Sequence, residues 1–411
     1  VTASVLQYGS PQRAGIDPAR VQRLHDLLAG WVARGDSPSI VALVARRGII
    51  VMHEAFGVRC HGDVEPTLKP DSIYPLASCS KPITAAAVMC LVDDGLVGLN
   101  RSFIDYVPEL DAPEVKGLAD AKVADLLCHT SGIDDLAFGA FIATALQRQE
   151  EIVPPAPGQH AKLNARIRLA RGAPLTWQPG KAFAYSNLGY NILGDIVRRV
   201  SGQPFWQFVH SRLFAPLGMR DSYFLLPAEL RSRRVYRRPG VPATEPQPLY
   251  NGIDSPELDE LDAGASGAAS TAYDLAVFMQ MLLNHGSYNG NCVLSSSSVA
   301  AMTRDQVDPS LPVIWLRYNP ETGRPHNVET RRGRYGYGLA FLQSAGRFRV
   351  NGSLISLKAF GHGGNGGSYM WADPEHDLIG VFLSVAPRFD RDMYFSNSDL
   401  FQNAVHASIV D

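Results

Sequence analysis

Ser78-Cys79-Ser80-Lys81-Pro82-Ile83-Thr84-Ala85-Ala86-Ala87-Val88-Met89-Cys90-Leu91-Val92 runs from a polar tetrad straight into a segment whose only hydroxyl is that of Thr84. A helix that is apolar on every side belongs in the centre of a domain. Proline is tolerated only in a first turn, so Pro82 places Ser78 at the helix N-terminus. Asp93-Asp94-Gly95 closes the segment, with Gly95 as the left-handed cap. Residues three apart share a helix face, so the Lys81 amine is expected one turn from the Ser78 hydroxyl. A serine becomes a nucleophile when a base is within reach, and an unprotonated lysine can be that base. The unpaired amides of a helix N-terminus can face the anion that develops during acyl transfer. The tetrad therefore predicts nucleophilic chemistry on Ser78.

On both sides of this helix the chain alternates between strand and helix patterns. Asp17-Pro18 opens a helix with Val21, Leu24, Leu28 and Trp31 on one side and Gly35 at its end. Ile40 to Ala45 and Ile49 to Ala55 read as strands joined around Arg47-Gly48. Residues 96 to 260 are mainly helical patterns and long loops, with one apolar face running from Leu188 to Val200 and closing at Gly202, and another helix starting at Pro204. Residues 237 to 256 are proline-rich and predict an irregular connection, and residues 304 to 334 lack periodicity and predict a surface excursion. Helical patterning returns at Thr271 with Leu275, Phe278, Met279 and Leu282 together. Strands follow over Gly338 to Leu342, Ser368 to Ala372 and Leu378 to Val385, and Leu400, Phe401, Val405 and Ile409 mark a closing helix. Strands at both ends with helices between predict an α/β (α+β) fold with one mainly antiparallel central sheet flanked by helices and an inserted helical lobe. The expected division is 1–75 with 270–411 for the sheet and 76–269 for the helices, with the site at their interface.

The 411 residues carry a net charge of −2 and 45% apolar residues, which gives no basic surface for nucleic acid and no apolar run long enough to span a bilayer. The five cysteines are unpaired in spacing, so a disulfide framework is not expected, and the first residues lack a basic, apolar leader pattern. A cytoplasmic location is the expectation. No H-E-x-x-H, C-x-x-C or G-x-S-x-G occurs, so neither a metal nor an α/β-hydrolase elbow is predicted, and no cofactor is called for. Gly361 to Gly366 fits G-x-G-x-x-G literally, yet it runs into a strand where a dinucleotide site needs a helix. His129 is expected to be a structural histidine, and Cys79 to pack. Tyr190, Trp177 and Trp371 fit pocket lining and core equally well.

Two further segments accompany the tetrad: Tyr185-Ser186-Asn187, and His362-Gly363-Gly364 within Phe360 to Gly367. Ser-x-x-Lys, Tyr-x-Asn and Lys/His-x-Gly, in that order and at this spacing, resemble the serine β-lactamase and penicillin-binding-protein superfamily. The branch most similar holds class C β-lactamases, D-peptidases and family VIII carboxylesterases, and Leu126 to Gly132 also matches a framework segment usual there. The resemblance spans residues 15 to 410. It implies Ser78 as nucleophile, Lys81 as its partner, Tyr185 as general acid/base, and Asn187 orienting Lys81 or substrate. It further implies that the His362 triplet is an edge strand lining the cleft and that the amides of Ser78 and Asn365 form the oxyanion hole. Gly363 and Gly364 would let an acyl carbonyl approach the backbone.

Free lysine and tyrosine both titrate near ~10, so either base starts about 4 kcal/mol short at pH 7. Burial of the lysine and proximity of the two groups reduce that deficit, and Lys81 and Tyr185 are expected to share one proton as a pair. Dedicated β-lactamases of the similar branch carry lysine where this chain has His362, a fixed cation for the substrate carboxylate. A neutral histidine predicts less dependence on a carboxylate and a small-molecule ester as substrate, with a D-amino-acid peptide or β-lactam as the alternative.

Overall fold

The computed structural model describes residues 4–59, 68–147, 161–236, 263–319, 324–330, 335–341, 352–385 and 391–411. Its main sheet has seven strands: β1 (Gln7–Tyr8), β2 (Ser39–Arg46), β3 (Ile49–Gly57), β4 (Ala340–Phe341), β5 (Phe360–Gly364), β6 (Ser368–Asp373) and β7 (Leu378–Ser384). They lie in the order β1-β3-β2-β7-β6-β5-β4. Every adjacent pair is antiparallel except β1 with β3. The two ends of the chain meet where β2 pairs with β7, from Arg46 opposite Leu378 to Ile40 opposite Ser384.

β2 and β7 are buried along their whole length, which explains why they read as continuous apolar runs. The pleat sorts their side chains. Ile40, Ala42 and Val44 pack with Leu24, Leu28 and Trp31 of α1 (Pro18–Ala33) and with Phe401 and Val405 of a C-terminal helix (Arg391–Ala407). Val41, Leu43 and Ala45 face the other way, toward α2 (Ser80–Asp93) and a helix over Ala272–Leu283. Arg47 and Gly48 both have positive φ, the backbone twist that a two-residue hairpin demands.

α2 is the buried centre that its composition predicts. From Ser72 to Leu91 every residue is buried except Ser78. A 3-10 turn over Ala77–Cys79 leads into the helix, and Gly95 caps the far end at φ 72.

Four expectations are corrected. Residues 304–334 contain an antiparallel hairpin, Val313–Asn319 with Arg324–Thr330, and Val313 and Ile314 also pair with Phe183 and Ala184. The ladder joins backbone groups, so it forms without the alternation that sequence reading requires. The strand expected from Gly338 begins at Ala340, because Gly338 has φ 77 and sits against Ala85 of α2. β5 is not the edge strand, since β4 pairs with it at Phe360 and Gly361. Leu400 is exposed, and Ile409 follows the C-terminal helix instead of belonging to it. The connection predicted over 237–256 lies outside the described residues.

Candidate active site

Ser78 stands where the 3-10 turn becomes α2, and it is the one residue of that buried run that reaches solvent. β5 passes directly beside it. A Cβ on Gly364 would lie 2.2 Å from the Leu76 carbonyl oxygen, so only glycine permits this approach. The Cys79 thiol donates to the His362 carbonyl at 3.2 Å and points into the interior, where burial pushes its pKa far up. Its role is to hold the strand against the turn.

Lys81 is fully buried, and among the described residues its amine has three polar neighbours. Ser78 Oγ lies at 3.1 Å, Asn187 Oδ1 at 2.9 Å and the Ala265 carbonyl oxygen at 2.9 Å. Burial pushes its pKa down to about 7, against the opposing pull of the Asp135 carboxylate and Cys79. A neutral amine has two N–H donors and one lone pair. Two carbonyl-type oxygens take both donors, so the lone pair faces Ser78 Oγ, the arrangement a general base needs. A lysine near 7 also removes most of the roughly 4 kcal/mol deficit of an ordinary lysine at neutral pH.

Each partner is set by its own local structure. Ser186 caps α4 (Asn187–Ser201), accepting from the Gly189 amide at 3.0 Å, so Asn187 opens the helix. Ala265 sits in the small-residue run Ala263 to Ser270. That run is fastened by Thr84 to the Gly264 carbonyl at 2.7 Å, Asn191 to the Ala265 amide at 3.2 Å, and Ser80 to the Ala268 amide at 3.0 Å. The centre of the Tyr185 ring lies 4.7 Å from the Lys81 amine, which brings the Tyr-x-Asn segment to the Ser-x-x-Lys turn. His129 brackets that segment from below. Its carbonyl accepts from the Ala184 amide at 2.8 Å and its Nδ1 from the Ser186 amide at 3.1 Å. Its ring is buried against Phe183, Tyr185, Tyr190 and Tyr335, and burial drives its pKa well below the usual range.

The ring of His362 is turned into the interior beside Tyr335 and Tyr185. It is 6% exposed, its Nδ1–H donates to the Gly363 carbonyl at 2.7 Å, and its Nε2 accepts from the Tyr335 hydroxyl at 2.9 Å. Burial, with Lys81 nearby, lowers its pKa to about 3, so the ring is neutral at physiological pH. Asn365 follows in the β5–β6 turn, half-buried, and its Oδ1 finds no hydrogen-bond partner among the described residues. Gly363 is half-buried on the same strand.

Sequence reading missed Ala265, Tyr335 and Asp135. Ala265 acts through a carbonyl, which no side-chain pattern reports. Tyr190 and Trp371 prove to be core residues. The Tyr190 hydroxyl donates to the Leu127 carbonyl at 2.7 Å, and Trp371 lies over Gly380, where a Cβ would come within 2.1 Å of its ring. Trp177 is partly buried against Ala182, Ala184 and Ile314. Cys79, Cys90, Cys128 and Cys292 are free thiols. Among the described residues no helix is long and apolar enough to cross a membrane, and no three His, Cys, Asp or Glu side chains gather as a metal site.

The family model "Beta-lactamase" matches residues 24–395. An uncharacterized protein of Mycobacterium tuberculosis (strain CDC 1551 / Oshkosh) is 30% identical over 341 residues, 78% of this chain and 79% of that protein. A Salmonella enteritidis protein named "Putative D-alanyl-D-alanine carboxypeptidase" is 25% identical over 409 residues, covering 93% of this chain and 86% of its own. Among solved structures, EstCE1, described as a hydrolase with promiscuous acyltransferase activity, superposes with a TM-score of 0.70 at 19% identity, covering 96% of this chain and 99% of its own. A family VIII carboxylesterase gives a TM-score of 0.67 at 22% identity, covering 93% of this chain and 97% of that one. At these identities the structural likeness is one of fold.

Proposed function

The chain belongs to the beta-lactamase family, a fold of serine hydrolases, and we propose that within it this protein is a carboxylesterase acting on uncharged, short-acyl esters. In the first half-reaction the Lys81 lone pair takes the Ser78 proton as Oγ attacks the ester carbonyl. The negative oxygen that forms is stabilised by the amides of Ser78 and Asn365. Collapse expels the alkoxide, which takes a proton from the Lys81–Tyr185 pair and leaves as the alcohol. Water then attacks the acyl-serine with the same pair as base, releasing the acid and restoring the Ser78 hydroxyl. Asn187 keeps Lys81 aimed throughout.

The observation that supports an ester over a β-lactam is the state of His362. Its two nitrogens are occupied by Tyr335 and Gly363, and its ring carries no charge, so the triplet offers no cation to a substrate carboxylate. A second reading, a D-alanyl-D-alanine peptidase, draws support from the name of the Salmonella relative. Its substrates end in a carboxylate, which this triplet would leave without an ion pair.

Intact-protein mass spectrometry after brief exposure to a p-nitrophenyl ester, a cephalosporin and a D-alanyl-D-alanine peptide tests the reading. The ester is expected to give a short-lived acyl adduct and fast turnover, the cephalosporin a slow or absent one. Ser78→Ala should abolish adduct and turnover by several orders of magnitude in a folded protein. Faster turnover of the peptide than of the ester would overturn the esterase assignment.

A further inference from the structure

Asp135 opens α3 (Asp135–Gln147), and its carboxylate is surrounded by donors from the first turn of α4. Oδ2 accepts from the Asn187 amide at 2.7 Å and from the Asn187 side-chain nitrogen Nδ2 at 3.0 Å. Oδ1 accepts from Ser186 Oγ at 2.7 Å and from the Leu188 amide at 3.3 Å. An ionised carboxylate accepts hydrogen bonds and never donates them. The Asn187 carboxamide can therefore meet Asp135 only through its NH2 group, which turns Oδ1 toward Lys81. Were the carboxamide reversed, its NH2 would donate to the Lys81 lone pair and take it away from Ser78. Two carboxamide orientations of similar shape thus have opposite consequences for the base.

We propose that Asp135 is a positioning residue for the reaction: by holding the Asn187 carboxamide in one orientation, it keeps the Lys81 lone pair on Ser78. This inference rests on Ser78 and Lys81 acting as nucleophile and base. Asp135 touches neither, and its effect passes through Asn187.

A second consequence concerns charge. Lys81 is faced by Cys79 from its own turn, Tyr185, Tyr190 of α4, His362 of β5 and His129 of the loop below, and Asp135 is the carboxylate among the groups that act on it. A carboxylate favours the ammonium form. Removing it lets Lys81 lose its proton at lower pH.

A double-mutant cycle with Asn187 separates positioning from simple capping of α4. Asp135→Ala is expected to lower kcat/KM for a neutral p-nitrophenyl ester about tenfold, the scale of one lost orienting hydrogen bond. In an Asn187→Ala background the same change should cost less than about twofold, because nothing remains to orient. A cap acts on the backbone amides of Asn187 and Leu188, which both backgrounds retain, so equal losses in the two backgrounds would overturn the proposal. Asp135→Asn removes the charge and keeps one carbonyl oxygen that can still accept from the Asn187 amide and Nδ2, while the Leu188 amide loses its acceptor, and it provides the readout should the alanine variant fail to fold. Its acid limb of kcat/KM against pH should move to lower pH than in the wild type, and an unmoved limb would refute the coupling to Lys81. A fluorophosphonate probe on the wild type keeps the two readings apart. Labelling of Ser78 with no cycle coupling sinks this inference alone, whereas no labelling of Ser78 sinks the nucleophile assignment beneath it.

Discussion

Replacing Lys81 by methionine turns the burial of an amine into a measurable pH dependence of stability. Lys81 is fully buried, and its pKa is pushed from the lysine range down to about 7. Between that value and the unfolded value of about 10.4, the unfolded chain binds a proton that the folded chain does not. Stability then rises with pH wherever the unfolded state holds more protons. The folded pKa is depressed for a base, so Lys81 lowers stability most at and below about pH 7 and ceases to do so above about pH 10. Integrated from pH 7 to about 9.5, the wild type should gain about 3 kcal/mol that Lys81→Met does not. Methionine also abandons Asn187 Oδ1 and the Ala265 carbonyl, which costs about 1–3 kcal/mol for each acceptor left unpaired, but that loss is the same at every pH. Urea unfolding of both proteins at several pH values isolates the titration in the wild-type-minus-variant difference. A difference that stays flat across the range would mean that Lys81 titrates as an ordinary lysine, and the base assignment would fall with it.

If Lys81 and Tyr185 handle one proton as proposed, Lys81→Ala and Tyr185→Phe should each reduce kcat/KM for a neutral ester strongly, and the double variant should lose little more than the worse single one. Losses that multiply would separate the two groups. Gly364→Ala places a methyl group 2.2 Å from the Leu76 carbonyl oxygen, so β5 must retreat from the turn carrying Ser78. An overpacked contact of this kind costs about 1–3 kcal/mol of stability. If β5 carries the proposed oxyanion amide, its displacement should lower kcat at least about tenfold, and a variant with wild-type kcat and melting temperature would contradict the close approach.

Local information was legible wherever one element carries its own signal. The Asp17-Pro18 start, the Gly95 and Gly202 caps, the Arg47-Gly48 turn and the apolar runs of β2 and β7 are features of a few adjacent residues, and each appears where the chain places it. The hairpin over Val313–Asn319 and Arg324–Thr330 escaped because backbone pairing leaves no periodic trace when side chains are mixed. His362 shows the same limit at the site. Its identity predicts a neutral group, but its burial and its bonds to Tyr335 and Gly363 belong to its neighbours.

What the sequence alone determined is the juxtaposition of Ser78 with Lys81. Their spacing on a helix start is short-range geometry, and the apolar run behind them commits that start to the interior. What only the tertiary structure decided is the environment of the lysine amine. Its pKa follows from the water excluded around it, and the aim of its lone pair follows from Asn187 and Ala265, which lie 106 and 184 residues along the chain. Desolvation and hydrogen-bond direction are properties of an enclosure, and an enclosure exists only once distant segments have packed together.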